Sequence, residues 1–106
     1  MSGQDLKLPA SQLTLPGGFV IQIGYRSDRQ VGKAVGMPAD GYWDRRKDGG
    51  IIVLNRETAA WKQIRVFGHE LVHAVHDYAL WLDNRADNLK AEMDETERVL
   101  QGKDEE

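Results

Sequence analysis

The period of the apolar positions changes once along this chain, near residue 57. Before that point, short apolar runs alternate with glycine, proline and polar residues. Phe19-Val20-Ile21-Gln22-Ile23-Gly24-Tyr25 is β-branched and aromatic, which predicts a strand. A polar turn from Arg26 to Gln30 leads to a weaker strand candidate around Lys33 to Gly36. Gly41-Tyr42-Trp43-Asp44-Arg45 and Ile51-Ile52-Val53-Leu54 flank Arg46-Lys47-Asp48-Gly49-Gly50, a hairpin signal with Asp-Gly-Gly at the turn. Residues 1–17, punctuated by Pro9 and by Pro16-Gly17-Gly18, read as an N-terminal arm.

From Glu57 onward the apolar period is 3.6, and no proline follows. Trp61, Ile64, Gly68, Leu71, Val72, Val75, Tyr78, Ala79 and Leu82 share one face of a helix that Asn55 or Thr58 could cap. A second helix is expected from about Asp83 to Leu100, with Leu82, Ala86, Leu89, Met93 and Leu100 as its stripe. The join is placed near Ala79 to Asn84, because one unbroken helix of over about 40 residues would be unusual in so small a domain. Residues 101–106 read as a polar tail. The expected fold is α+β: a small, mostly antiparallel sheet over residues 18–100, packed on two helices.

Composition narrows the function classes. A chain of 106 residues holds one hydrophobic core, and 41% hydrophobic with 29% charged residues is ordinary for a soluble domain. A net charge of −3 gives no electrostatic case for nucleic acid, and Arg45-Arg46-Lys47 reads as a solvated hairpin tip. No apolar run is long enough to cross a bilayer, and the first residues lack a secretory pattern, so a cytoplasmic protein is expected. There is no cysteine, so any metal must be held by His, Asp or Glu.

His69-Glu70-Leu71-Val72-His73 supplies such a set. Two imidazoles four residues apart lie one turn along the same helical face, where both can reach one metal ion at about 2.0–2.1 Å. Glu70 projects one step round from His69, where it can take a proton from a metal-bound water and pass it to a leaving amine. Shuffling this composition yields the HExxH spacing in only about 0.4% of cases, so chance is a poor explanation. Zinc suits imidazole and carboxylate ligands.

Val66-Phe67-Gly68-His69-Glu70-Leu71-Val72-His73-Ala74-Val75-His76-Asp77-Tyr78 resembles the active-site helix of the gluzincins, the thermolysin-like zinc peptidases. The chain length is similar to that of the very small members called minigluzincins. The resemblance implies a zinc metallopeptidase with a peptide or protein substrate. His69 and His73 would be ligands, Glu70 the catalytic base, and the strand before the helix, Ile51 to Leu54, the edge that binds an extended peptide.

A catalytic zinc usually has three protein ligands. His76 is rejected as the third, since it lies about 10 Å along the helix axis from His69. The ligand is therefore sought on the second helix. Glu92 follows His73 at an interval close to that of the gluzincin metal-binding Glu, and Glu95 and Asp83 are the alternatives. Two departures stand out. Thr96 occupies the place where gluzincins carry an Asp that orients a ligand His, and no Tyr or His follows to steady an oxyanion. Tyr25 and Tyr42 are the conceivable substitutes. So short a chain has little material for a substrate cleft, which predicts weak or latent turnover. The competing expectation is a zinc-containing binding or regulatory module without useful turnover.

Overall fold

The computed structural model describes residues 11–104 of the chain. Residues 1–10 of the expected arm and 105–106 of the expected tail lie outside the described residues. The remainder of the arm is not an arm. Its residues Gln12–Leu15 form strand β1, paired antiparallel with β2, Phe19–Arg26. Leu13 and Leu15 alternate toward the core, a period-two signal too short to stand out beside the prolines.

Helix α1, Asp28–Val35, replaces the expected turn and weak strand. Ser27 and Gln30 form a reciprocal capping box at its start, and Gly36, at φ 90°, closes its end in the left-handed region. Val31, fully buried, anchors it. α1 carries the chain past the sheet, and the hairpin of β3, Gly41–Arg46, and β4, Gly49–Asn55, then returns β4 parallel to β2. The strand order is β1-β2-β4-β3, so two of three pairings are antiparallel, as expected. The α+β class is what the structure shows.

β4 is interior, paired on one side with β2 and on the other with β3. The expectation that Ile51 to Leu54 forms the free edge is therefore wrong, and that edge belongs to β3. The hairpin brought β4 inward because only an interior strand can be nearly continuously buried, and Gly49 to Asn55 is.

The expected break near Ala79 to Asn84 does not occur. One helix, α2, runs from Ala60 to Asp104 over 45 residues. At 1.5 Å per residue it is about 68 Å long, which sets the longest molecular extent of 69 Å. The radius of gyration, 20.0 Å, exceeds the roughly 13 Å of a compact chain this size. Nothing between Tyr78 and Asn88 is a helix breaker, so local propensity holds through the point where compactness would favour a turn. Among the described residues no helix is long and apolar enough to cross a membrane.

Only the first half of α2 packs on the sheet. Its inner stripe is Val66, Phe67, Leu71, Ala74, Tyr78 and Trp81, set against Phe19, Ile21, Ile23, Ile52 and Leu54. Phe19 is the hub, with its ring centroid 5.3 Å from those of Tyr78 and Trp81 and 6.5 Å from that of Trp43. Polar bonds fix the helix lengthwise. The Trp43 indole donates to Asp77 at 2.6 Å, the Tyr78 hydroxyl to the Pro16 carbonyl at 2.8 Å, and the Trp81 indole to Asp48 at 3.0 Å. Close approach at the other end needs Gly41. A Cβ there would lie 2.6 Å from the Val53 carbonyl oxygen and 2.8 Å from the Val66 side chain.

The expected helical face is thus rotated. Trp61 and Val72 are 65% and 68% exposed, and Val75 is also in solvent. α2 carries two apolar stripes that a single wheel merges, and the sheet takes the one bearing the large aromatics.

Phe19→Ala should lower unfolding stability by about 3–5 kcal/mol, the usual cost of emptying an aromatic core site. Leu80→Ala, at an exposed position, should stay within about 0.5 kcal/mol of the parent. Urea midpoints compared at constant m-value check both.

Candidate metal centre

The docking of α2 decides where each motif residue points. Ala74, fully buried, faces the sheet, and Glu70, one turn earlier on the same face, is also buried at 8% exposure. Among the described residues of α2 it is the one buried acid. His69 and His73 flank it on the exposed rim, with ring centroids 5.0 Å apart and planes nearly perpendicular. Ligand atoms of His69, Glu70 and His73 all lie within 4.8 Å of one another. The motif that the sequence singled out is one cluster in space.

Beside the cluster is a groove of about 390 Å³. Asp40 and Gly41, at the start of β3, form one wall; Lys62, Arg65, Val66, His69 and Glu70 of α2 form the other. Lys62 pairs with Asp40 at 3.3 Å across it. Sequence reasoning missed these cations. The signal was available, because Arg65 and Lys62 stand four and seven residues before His69 and so share its side of the helix.

The expected third ligand does not join this cluster. Glu92 lies on the same unbroken helix, 19 residues beyond His73, or about 28 Å along the axis. Glu95 is further still, and Asp83 is about 15 Å away. All three were placed on a helix that would fold back, and α2 does not fold back. Among the described residues no further His, Asp or Glu shares the cluster. Thr96, where an orienting Asp was sought, instead donates to the Glu92 carbonyl at 3.0 Å within its own helix.

The tyrosine substitutes are also displaced. Tyr42 alternates with Gly41 and Trp43, the residues that meet α2, so it lies on the opposite face of the sheet. Tyr25 is on β2, separated from β3 by β4, while the groove is on the β3 side. Burial raises its phenol pKa above the ordinary value, which keeps it a neutral hydroxyl. His76 is exposed and outside the cluster.

Two imidazoles with an adjacent carboxylate form a donor set that fits a divalent, borderline-soft cation such as zinc. The groove leaves the His69 and Glu70 side of this set open to solvent. No family model, no curated protein and no solved structure matches this chain.

Proposed function

We propose that this domain is a zinc-dependent peptidase that binds an extended peptide along β3 and cuts it beside Glu70. The observation that carries this reading is the His69, Glu70 and His73 cluster opening onto a groove whose other wall is the start of a free-edged strand. His69 and His73 would hold the ion. Zinc in such a site supplies Lewis-acid polarisation of a water and of the scissile carbonyl.

The remaining chemistry falls to the chain. Glu70, held against the sheet, has its carboxylate restricted to the groove side and so is oriented before substrate arrives. It accepts the proton of the attacking water as the new C–O bond forms, and returns it to the amine nitrogen as the C–N bond breaks. Lys62 and Arg65 bring positive charge to the same wall, where the carbonyl oxygen that gains charge during attack must be steadied. The unpaired edge of β3 offers backbone donors and acceptors to a peptide by strand addition. A cytoplasmic setting is part of this reading.

A second reading is favoured by one observation: among the described residues the cluster contains only two imidazoles and has no further ligand from outside its own motif. A zinc-containing binding module without useful turnover does not need the base and oxyanion donors of an enzyme. Glu70 separates the two readings, because a binding module does not need a base.

Zinc titration should raise the melting temperature and saturate at about one ion per chain, since the unfolded chain has no formed site. His69→Ala and His73→Ala should each abolish that shift. Glu92→Ala, Glu95→Ala and Asp83→Ala should leave it unchanged.

Glu70→Gln should retain zinc and the fold while cutting peptide hydrolysis by at least about 100-fold. Extended peptides of several lengths, assayed with parent and variant side by side, check this. A zinc-loaded parent that cleaves none of them establishes the binding module instead.

A further inference from the structure

Apart from Leu82, which Gly17 of the β1–β2 turn approaches, the outer stripe of α2 has no partner among the described residues, and its spacing is strict. Val72, Ala79, Ala86, Met93 and Leu100 recur every seven residues. Val75, Leu82, Leu89 and Thr96 recur three residues after them. This is a heptad seam, with the first set at a and the second at d, over about 42 Å of helix. Leu89, Met93 and Leu100 are 51%, 69% and 55% exposed. Ala86, Leu89, Met93 and Leu100 line one open face of the helix, with no other element across it among the described residues. A heptad of this length is what a facing helix of equal period requires, and the described residues hold no second long helix to provide it. Isolated helix in water is marginal, so the distal half needs packing to persist.

Charge at the flanking positions decides the occupant and its direction. The e positions are His76, Asp83, Lys90 and Glu97, and the g positions are Tyr78, Arg85, Glu92 and Val99. Two copies running parallel would oppose g to the next e, setting Arg85 against Lys90 and Glu92 against Glu97. Both pairs repel. Antiparallel copies oppose g to g and e to e. With Ala86 layered on Leu89 of the second copy, Arg85 meets Glu92 and Asp83 meets Lys90, each pair twice by symmetry. His76 then meets Glu97, and Tyr78 meets Val99. Sliding the antiparallel pair by one heptad either way places Arg85 on Arg85 or Glu92 on Glu92. One register alone joins opposite charges on both flanks of the full seam.

We propose that α2 pairs with α2 of a second copy of this chain as an antiparallel two-stranded coiled coil centred between Ala86 and Leu89. Its layers are Val75 on Leu100, Ala79 on Thr96, Leu82 on Met93, and Ala86 on Leu89, so small and large residues face each other at the centre. The sheet does not obstruct it, because it covers the Ala74 and Trp81 side of the helix while Val72 and Val75 stand open. The pairing does not depend on the metal or on any activity.

Sedimentation velocity of the full chain over a wide concentration range tests it. The parent should dimerise. Leu89→Glu should yield monomers with an unchanged zinc-induced melting shift or, if the site proves metal-free, an unchanged near-ultraviolet circular dichroism signal from the aromatic cluster around Phe19. Arg85→Glu should weaken dimerisation by about tenfold or more, because two attractive pairs become repulsive. Glu92→Arg should do the same, and mixing the two variants should restore association through heterodimers. A parent that stays monomeric at its highest soluble concentration overturns the proposal. So does an Arg85→Glu variant that associates more tightly, which is the signature of the parallel arrangement.

Discussion

The seat of Phe19 between Tyr78, Trp81 and Trp43 is the contact on which the other features depend. A helix lying on a four-stranded sheet could rotate or slide with little loss if its contacts were aliphatic. Here three hydrogen bonds from aromatic side chains, to Asp77, to the Pro16 carbonyl and to Asp48, fix both motions at once. Bonds of this kind contribute only about 1–3 kcal/mol each, the two to carboxylates more than the one to a carbonyl. Their effect is to make one docking distinct from its neighbours. Once Ala74 faces the sheet, helical geometry sends Glu70 inward and leaves His69 and His73 on the rim. The site is a consequence of where the aromatic cluster stops the helix.

The opposite end of α2 shows the complementary constraint. Gly41 removes the side chain that would hold Val66 away from β3, so the helix closes on the sheet edge and the groove narrows to one wall of strand and one of helix. That closeness joins the open edge of β3 to the motif. Neither feature is chemical in itself. A peptide added to β3, as proposed, would pass His69 and Glu70 only because a glycine stands where any other residue would push the two apart.

The local parts of this arrangement were legible in the sequence. The His69 and His73 pair and the intervening Glu70 depend only on 3.6-residue periodicity, and the β3–β4 hairpin only on the Asp-Gly-Gly turn. α1 was legible too, since Ser27 to Gln30 is a capping box and Gly36 a stop, but its single buried apolar residue left little periodicity to notice. What failed were inferences requiring a long-range decision. β1 lay hidden between prolines, the edge was assigned to β4 because it precedes the helix, and Glu92 was chosen by assuming that the chain turns back. The assumption of a turn came from compactness, a property of whole domains, whereas the residues near Ala79 to Asn84 carry no breaker. Propensity was the better guide there.

The same error has a physical lesson in the two stripes of α2. A single wheel drawn over Trp61 to Leu82 averages them, because residues spaced by three and four satisfy both. They separate only when side-chain size is considered. The sheet selects Phe67, Tyr78 and Trp81, the last two packed on Phe19, and leaves the smaller Val72, Val75 and Ala79 outside. Small residues at the outer seam let a second helix approach closely, whereas aromatic residues there would hold it off. His76 stands at the e flank of that seam, and His69 and His73 lie on the same side, between the sheet and the open stripe. In the antiparallel pairing the second copy therefore reaches the histidine side of α2 from the direction the sheet leaves free, with its Glu97 opposite His76. The proposed partner of the distal helix and the surroundings of the histidine cluster would then be set by one interface.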